Sequence, residues 1–346
     1  MLTLMGIIMF TLLILGFPMM IPLIAGALAV VFVYFSALDP SVVIQQMIGG
    51  VRPSVLVAVP MFILAADIMT KGHTANRLLD LVNAFIGHRR GGLPITTAVS
   101  CTLFGAVSGS TQATIVAMGS PLRPRLLKAG YPDKFNLALI VNSSDIALLI
   151  PPSIAAIIYG VAANVSVGEL FIAGIGPGVF IMILFSIYSY IVARRLKIEP
   201  GEKATWGQRL LALRGAILPM GFPFVVLGGI YSGLFTPTEA AAMSVLYAFL
   251  IEKFIFRSIK WSDVPKIALS TGLITAVVFI LVGAGQAFSW VISFAQIPTQ
   301  IIGPVLDTIV DNPELLLAFI AVSYFVACMF VDPIVAIFVL TPIFMP

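Results

Sequence analysis

Charge is what this sequence has least of. It carries 19 Lys and Arg and 15 Asp and Glu in 346 residues, 10% of the chain, where soluble domains carry roughly 25%. A soluble globule with so few charges could not cover its surface, so a soluble enzyme is excluded. Cysteine is scarce too. Cys101 and Cys328 both stand in apolar surroundings, which leaves no disulfide framework and no thiolate metal motif. His73 and His88 sit in polar segments and fit no HExxH pattern, and no GxxxxGK[ST] loop occurs anywhere. Zinc hydrolysis and nucleotide-driven work are therefore not indicated. The N-terminus lacks a charged leader and a small-residue cleavage site, and its first apolar run, Leu2 to Phe35, is too long for a signal segment. What is present is hydrophobic residue, 60% of the chain. The fold class expected is an all-α polytopic membrane protein.

The few charges set the topology. Of the 19 basic residues, 18 fall in four blocks: Lys71 to Arg90, Arg123 to Lys134, Arg194 to Arg214, and Lys253 to Lys266. Such parcelling argues against nucleic acid as the partner of the +4 net charge. The positive-inside rule places all four blocks in the cytoplasm. The number of apolar stretches between blocks then decides what crosses. Two stretches, Gly215 to Tyr231 and Pro237 to Ile251, separate the third and fourth blocks, and Phe135 to Ala163 and Leu170 to Val192 separate the second and third. Each pair is one exit and one return. A single stretch of 32 residues, Gly91 to Leu122, separates the first and second blocks, so it starts and ends inside. It is read as a re-entrant hairpin with its tip near Val107-Ser108-Gly109-Ser110-Thr111. Irregular backbone at that depth requires surrounding protein or a wet cavity.

The remaining spans are one helix over about 4–35, an external stretch 36–53, and a second helix over about 54–70. An amphipathic interfacial helix, 74–88, presents Leu78, Leu81, Val82 and Phe85 on one face. A further span runs over about 267–290. Segment 299–314 carries Asp307, Asp311 and Glu314 without a basic residue, as an external segment should. A second apolar hairpin, 315–346, breaks at Asp332-Pro333. The order helix, surface segment, hairpin thus occurs twice with opposite membrane sides, the inverted repeat of secondary transporters. Laying 106–124 on 328–346 puts Ser110 over Asp332 and Pro124 over Pro346. The first hairpin is followed by a broken helix and a span, so the second is expected to continue past residue 346 into about two more helices. Four segments organise the chain: 1–90 as scaffold with the interfacial arm, 91–192 as one half of a transport domain, 193–314 as basic loop, scaffold helices and external arm, and 315–346 as an incomplete second hairpin.

Several polar groups stand where apolar residues would suffice. Ser108, Gly109, Ser110, Thr111 and Thr114 lie at the first hairpin tip, where hydroxyls, free carbonyls and a helix N-terminus suit a weakly bound cation and a carboxylate. Close helix packing by small residues is the competing explanation. Asn142, Ser143, Ser144 and Asp145 precede Pro151, Pro152 and Ser153. Paired prolines remove donors and break a helix, which makes this stretch a binding loop or a kink. Asp145 and Asp332 are carboxylates in apolar stretches, each costing roughly 2.5–3.5 kcal/mol on insertion scales. Asp145 can ligate an ion, take a proton or cap a half-helix. Candidate ion ligands are Ser108, Gly109, Ser110, Ser143, Ser144, Pro151, Ser153 and Asp332, and candidate substrate contacts are Thr111, Thr114, Asn142, Asp145 and Pro152. Asp67 is expected to pair with a basic neighbour or to snorkel. Phe235-Thr236-Pro237-Thr238-Glu239 has the form of a helix start. With no ATP signature, the driving force expected is an ion gradient, about 2.3 kcal/mol per cation per 100 mV.

These motifs together resemble a family. GAVSGSTQAT (105–114), KAGYP (128–132), IPPSIAAIIYGVAANVSVGELFIAGIGPG (150–178), GLFTPTEAAA (233–242) and FVDPIVAIFVLTPIFMP (330–346) are similar to the large membrane subunit of tripartite ATP-independent periplasmic transporters. The resemblance runs from the first helix to residue 346. It implies an elevator-type transporter in a bacterial inner membrane that imports small carboxylates with Na⁺ as coupling ion and no other cofactor. Two partners are implied: a small four-helix membrane subunit and a periplasmic substrate-binding protein. It places one sodium site at Ser108–Ser110 with the Ser143–Ser144 and Pro151–Ser153 region, and a second at Asp332. Two positions depart from the family pattern: Asp145, where a small residue such as Gly is expected, and Asp67, where Glu is usual. A stand-alone dicarboxylate or ion transporter of the same architecture is the alternative, and an enzyme is not expected.

Overall fold

The structure, a computed structural model, describes residues 1–299 and 312–344. Those residues form helices joined by short turns, with no strand among them. They fall into two compact units. One comprises residues 1–56, 158–165 and 275–346, and the other 57–157 and 166–274.

In the first unit, the apolar run expected as one helix over about 4–35 is instead two, α1 (Leu2–Ile14) and α2 (Met20–Tyr34). Gly16 adopts a left-handed φ of +79° and Pro18 follows. Proline disfavours helical backbone in the residue before it and cannot donate to the helix. At 13 and 15 residues, neither arm alone reaches the ~17–25 residues of a span. They pack on each other instead, with Gly26 admitting Met5 and Met9. Helix α3 (Ser41–Gly50) follows. Leu23, Ala27, Val43, Phe288, Val291, Ile292 and Val335 fill one apolar core. At the far end of the sequence, α14 (Pro313–Cys328) and α15 (Pro333–Phe344) pair as a hairpin, with the Tyr324 and Thr341 hydroxyls 3.1 Å apart and Phe319 edge-on to Phe344. Segment 299–314 lies largely outside the described residues, as does Pro346.

The second unit holds α4 (Ala58–Lys71), α5 (Thr74–Ile86), α6 (Gly92–Ser108), α7 (Thr111–Lys128), α8 (Asp133–Asp145), the start of α9 (Ile154–Ala162), α10 (Val167–Arg195), α11 (Trp206–Tyr231), α12 (Pro237–Leu250) and the start of α13 (Val264–Phe294). Four described helices are long and apolar enough to span: Ser54–Lys71, Val167–Arg195, Trp206–Tyr231 and Trp261–Phe294. Helices α6 and α7 pack as the expected hairpin. The start of α12 has the capping box its sequence suggests. The Thr236 side chain accepts from the Glu239 backbone, and Glu239 Oε2 accepts from the Thr236 N–H at 2.8 Å.

The basic blocks meet inside this unit. Arg125 pairs with Asp80 at 3.3 Å, Arg209 Nε donates to the Ala84 carbonyl, and the Arg77 guanidinium lies 3.9 Å over the Phe256 ring. All four blocks are thus represented at one face, as a common cytoplasmic side requires. Partial burial, and after it the charges of Arg209, Lys203 and Arg89, hold the His88 pKa below its usual value. A polar cavity of 510 Å³ opens there between Arg77, Asp80, Asn83, Glu202, Lys203 and Gln208. Helix α5 buries Leu78, Leu79, Leu81 and Val82, while Phe85 stays 40% exposed.

Buried polar groups tie distant segments together. Glu252, wholly buried, accepts from the His73 and Thr74 backbone N–H groups at 3.1 and 3.2 Å and from the Thr74 and Ser258 hydroxyls. It satisfies the first donors of α5, the N-terminal groups that a helix leaves unpaired. Gly72 makes room for it, since a Cβ there would meet the carboxylate at 2.0–2.4 Å. Asp67 takes part in neither of the two ion pairs among the described residues. It accepts from the Thr271 hydroxyl of α13 at 2.7 Å, and its basic neighbour Lys71 acts on it only as a nearby charge.

Candidate functional site

The hairpin tip is built by two adjacent residues. Gly109 ends α6 in the left-handed region (φ +58°), its N–H closing on the Gly105 carbonyl at 2.8 Å. Ser110 is extended (φ −140°, ψ 129°) and begins α7. A residue with a Cβ is strained at the first position, so the sequence Ser108-Gly109-Ser110 turns where it does for a backbone reason. The hydroxyls knit the tip. Ser108 Oγ and Thr114 Oγ1 lie 2.8 Å apart, and Thr114 Oγ1 donates to the Ser110 carbonyl at 2.9 Å. Ser110 Oγ donates to Gln112 Oε1 at 3.0 Å.

Facing the tip is the break that the paired prolines announce. Helix α8 ends at Asp145, a short 3-10 turn follows (Ile146–Leu148), and α9 restarts at Ile154. Ser153 caps the restart: its hydroxyl accepts from the Ala156 N–H at 3.1 Å and donates to the Leu148 carbonyl. Tip and break touch directly. Ile154 N–H donates to the Gly109 carbonyl at 3.3 Å, and a Cβ on Gly109 would stand 2.2 Å from the Pro152 carbonyl oxygen. Only glycine permits that approach. Neighbouring helices receive the break through glycines as well. Gly105 of α6 lies against Ala147, Gly174 of α10 against the Leu149 carbonyl, and Gly178 against Ile150. These three residues were not singled out by sequence reasoning. The small-xxx-small spacing of Gly174 and Gly178 was the available signal.

The candidates divide accordingly. Ser108, Gly109, Ser110, Thr111, Thr114, Pro152 and Ser153 converge where the tip meets the break, with Pro151 adjoining in the chain and Asp145 at the end of α8. The Thr111 hydroxyl neighbours the Asp145 carboxylate and has no hydrogen-bond partner among the described residues. Ser143 Oγ is fully buried and unpartnered, a free oxygen beside the break. Ser144 and Asn142 are engaged by their own helix. Ser144 donates to the Ile140 carbonyl and lies against Cys101, and Asn142, exposed, donates to the Ala138 carbonyl. Asp332 belongs to the other unit. It is exposed, precedes Pro333, and accepts from the Ile334 N–H at 2.9 Å. It therefore starts the second arm of its hairpin, as Ser110 starts the second arm of the first. That is the pairing the internal alignment suggested. The arrangement offers hydroxyl and carbonyl oxygens and a nearby carboxylate, donors suited to a hard cation.

Such a fold, with helical hairpins and a proline-broken helix among spans, is that of a polytopic membrane transporter. The family model described as the tripartite ATP-independent periplasmic transporter, DctM component, matches residues 6–346. The chain belongs to that family and is a multi-pass protein of the inner membrane. It is 60% identical to the ectoine transporter large permease protein of Halomonas elongata, over 99% of this chain and 81% of the relative. It is also 60% identical to the ectoine/5-hydroxyectoine large permease protein of Ruegeria pomeroyi, over 98% of this chain and 79% of the relative. Identity to the C4-dicarboxylate large permease protein of Pseudomonas aeruginosa is 37%, over 84% and 68%. These relatives are permease subunits rather than enzymes.

Proposed function

We propose that this chain is the large permease subunit of a sodium-coupled importer whose substrate is an ectoine-class zwitterion. The observation that carries the reading is the equal 60% identity to two ectoine permeases over nearly the whole chain, against 37% to a dicarboxylate permease. The substrate expected from the sequence, a small carboxylate, is thereby narrowed to a carboxylate that also bears a cationic ring. A periplasmic binding protein delivers it, and a small membrane subunit completes the permease.

Sodium occupies the oxygen-rich junction of Ser108, Gly109 and Ser110 with Ser143 and Pro151–Ser153, and a second ion uses Asp332. The unpartnered Ser143 hydroxyl supports the first assignment. A buried oxygen without a partner is costly unless something pays it back. Substrate enters beside the ions, at Thr111, Thr114, Asp145 and Pro152, with Asn142 on the outer turn. Transport is elevator-type: the segment 91–192 and the second hairpin move together against scaffold helices in 1–90 and 193–314. Ion and substrate share one junction, so filling it with both is what frees the moving part to cross.

The test is uptake of labelled ectoine into proteoliposomes holding both membrane subunits, with the loaded binding protein outside and an inward sodium gradient. Uptake that needs the binding protein and sodium is the expected result. Uptake without the binding protein would favour a stand-alone transporter instead. Transport of succinate but not ectoine would sink the substrate assignment.

A further inference from the structure

Asp145 is the only charged residue between Lys134 and Glu169, and among the described residues no basic side chain pairs with it. Its side chain is exposed at the end of α8 rather than folded into a core. The two ion pairs among the described residues join Arg123 to Asp133 and Arg125 to Asp80, and Asp145 takes part in neither. Its polar neighbour is the Thr111 hydroxyl, which no other group engages. An isolated carboxylate in a membrane segment is costly and marks a functional position by default. It is also more than a sodium site needs, since the oxygens of the tip and the break already suit a weakly held monovalent cation.

The chemistry beside it is of the opposite sign. Helix α7, 18 residues long, starts at Thr111 with its first N–H groups unpaired, and no side chain caps it. A negative group on α8 and a donor-rich helix start therefore stand side by side, with Thr111 at the meeting point. A dicarboxylate would satisfy the second and be repelled by the first. A zwitterion satisfies both. Ectoine carries its positive charge as a cyclic amidinium, a planar N–C–N unit. Like a guanidinium, such a unit matches a carboxylate in shape and charge.

We propose that Asp145 is the specificity residue of this permease: it holds the cationic amidinium of an ectoine-class substrate while the substrate carboxylate faces the start of α7 at Thr111. The proposal rests on the substrate reading above. Asp145 thereby does two things at once, since the charge that attracts the amidinium also excludes substrates with two anionic ends.

The experiment measures binding to the membrane subunits without the binding protein, so that only the permease's own preference is read. The purified two-subunit complex in sodium is titrated with ectoine, and the shift of its thermal unfolding midpoint reports affinity. Asp145→Asn should weaken ectoine binding by ~10-fold or more, the loss expected when a hydrogen bond to a charged group is removed. Asp145→Glu should keep a measurable part of it, and sodium alone should stabilise all three proteins alike. Wild-type protein titrated with pyroglutamate, a cyclic carboxylate with a neutral ring, should show no shift in the same range. That arm stands even if Asp145→Asn fails to assemble. Ectoine bound equally by wild type and Asp145→Asn, or pyroglutamate bound as well as ectoine by wild type, would overturn the role of Asp145 and leave the ectoine reading intact. If wild type binds succinate and not ectoine, the substrate reading falls first and this assignment with it.

Discussion

Gly109→Ala perturbs the junction at its narrowest point. Gly109 holds φ +58°, and its added Cβ would meet the Pro152 carbonyl oxygen at 2.2 Å and the Ile154 nitrogen at 3.6 Å. An ordinary C···O contact is about 3.3 Å or longer, so tip and break must part by roughly 1 Å. Two costs follow. Holding alanine in the left-handed region costs about 1–2 kcal/mol, and losing the Ile154 N–H to Gly109 carbonyl bond costs about 0.5–1.5 kcal/mol. Together these make a penalty of roughly 1.5–3.5 kcal/mol for the closed junction, a population shift of about 10- to 400-fold. Because the proposed sodium ligands come from both sides of that contact, the half-saturating sodium concentration for uptake should rise by a comparable factor. Gly130→Ala is the control. It has φ +87° but nothing within 4 Å of an added Cβ, so it carries the backbone strain without the collision. Sodium activation curves in proteoliposomes, read beside thermal unfolding of each variant, make the comparison. Unchanged sodium activation in Gly109→Ala would refute the junction as the ion site. So would an equal shift in both glycine variants.

The proposed second ion site at Asp332 is tested with a pair of variants. Asp332→Asn keeps an N-cap acceptor and loses the charge, whereas Asp332→Ala loses both. A weakened sodium response in both marks an ion role, while a loss confined to alanine marks a cap. Glu252→Ala leaves the His73 and Thr74 N–H groups without a buried acceptor, at about 1–3 kcal/mol for an unsatisfied group. It should lower the unfolding midpoint markedly, with Glu252→Gln milder. Gly72→Ala, which drives a methyl into the same carboxylate, should resemble Glu252→Ala. The exposed Arg123–Asp133 pair should matter only weakly. Its bond to Arg123 holds the Asp133 pKa below the usual carboxylate value. Any stabilisation is therefore present above that usual value and fades as pH falls through the lowered one. Asp133→Asn should leave uptake at neutral pH unchanged.

Much of this was written locally in the chain. The basic blocks, counted against apolar stretches, gave the first hairpin, because charge and hydropathy act wherever they fall, and the small residues of Val107–Thr111 marked its tip. Pro151-Pro152 announced the break and Thr236-Pro237-Thr238-Glu239 the helix start for the same reason: a missing N–H or a capping hydroxyl works within one turn of helix. The split of the first apolar run was legible too, in Gly16 and Pro18, but uniform hydrophobicity masked it.

What the sequence could not decide were partners far apart along the chain. Glu252 meets Thr74 across 178 positions, and Asp67 meets the hydroxyl of Thr271 across 204. The seating of the break against Gly105, Gly174 and Gly178 depends on three helices arriving together. Above all, Gly109 reads in the sequence as turn chemistry, and only the packed structure shows the Pro152 carbonyl filling the space of its missing side chain. The sequence by itself determined that the chain is a polytopic membrane protein and where the first hairpin and the proline break fall, because each residue's hydrophobicity, charge and backbone freedom are its own. Which broken ends meet, and so which oxygens can surround an ion, was decided only in three dimensions, because contact is a property of pairs.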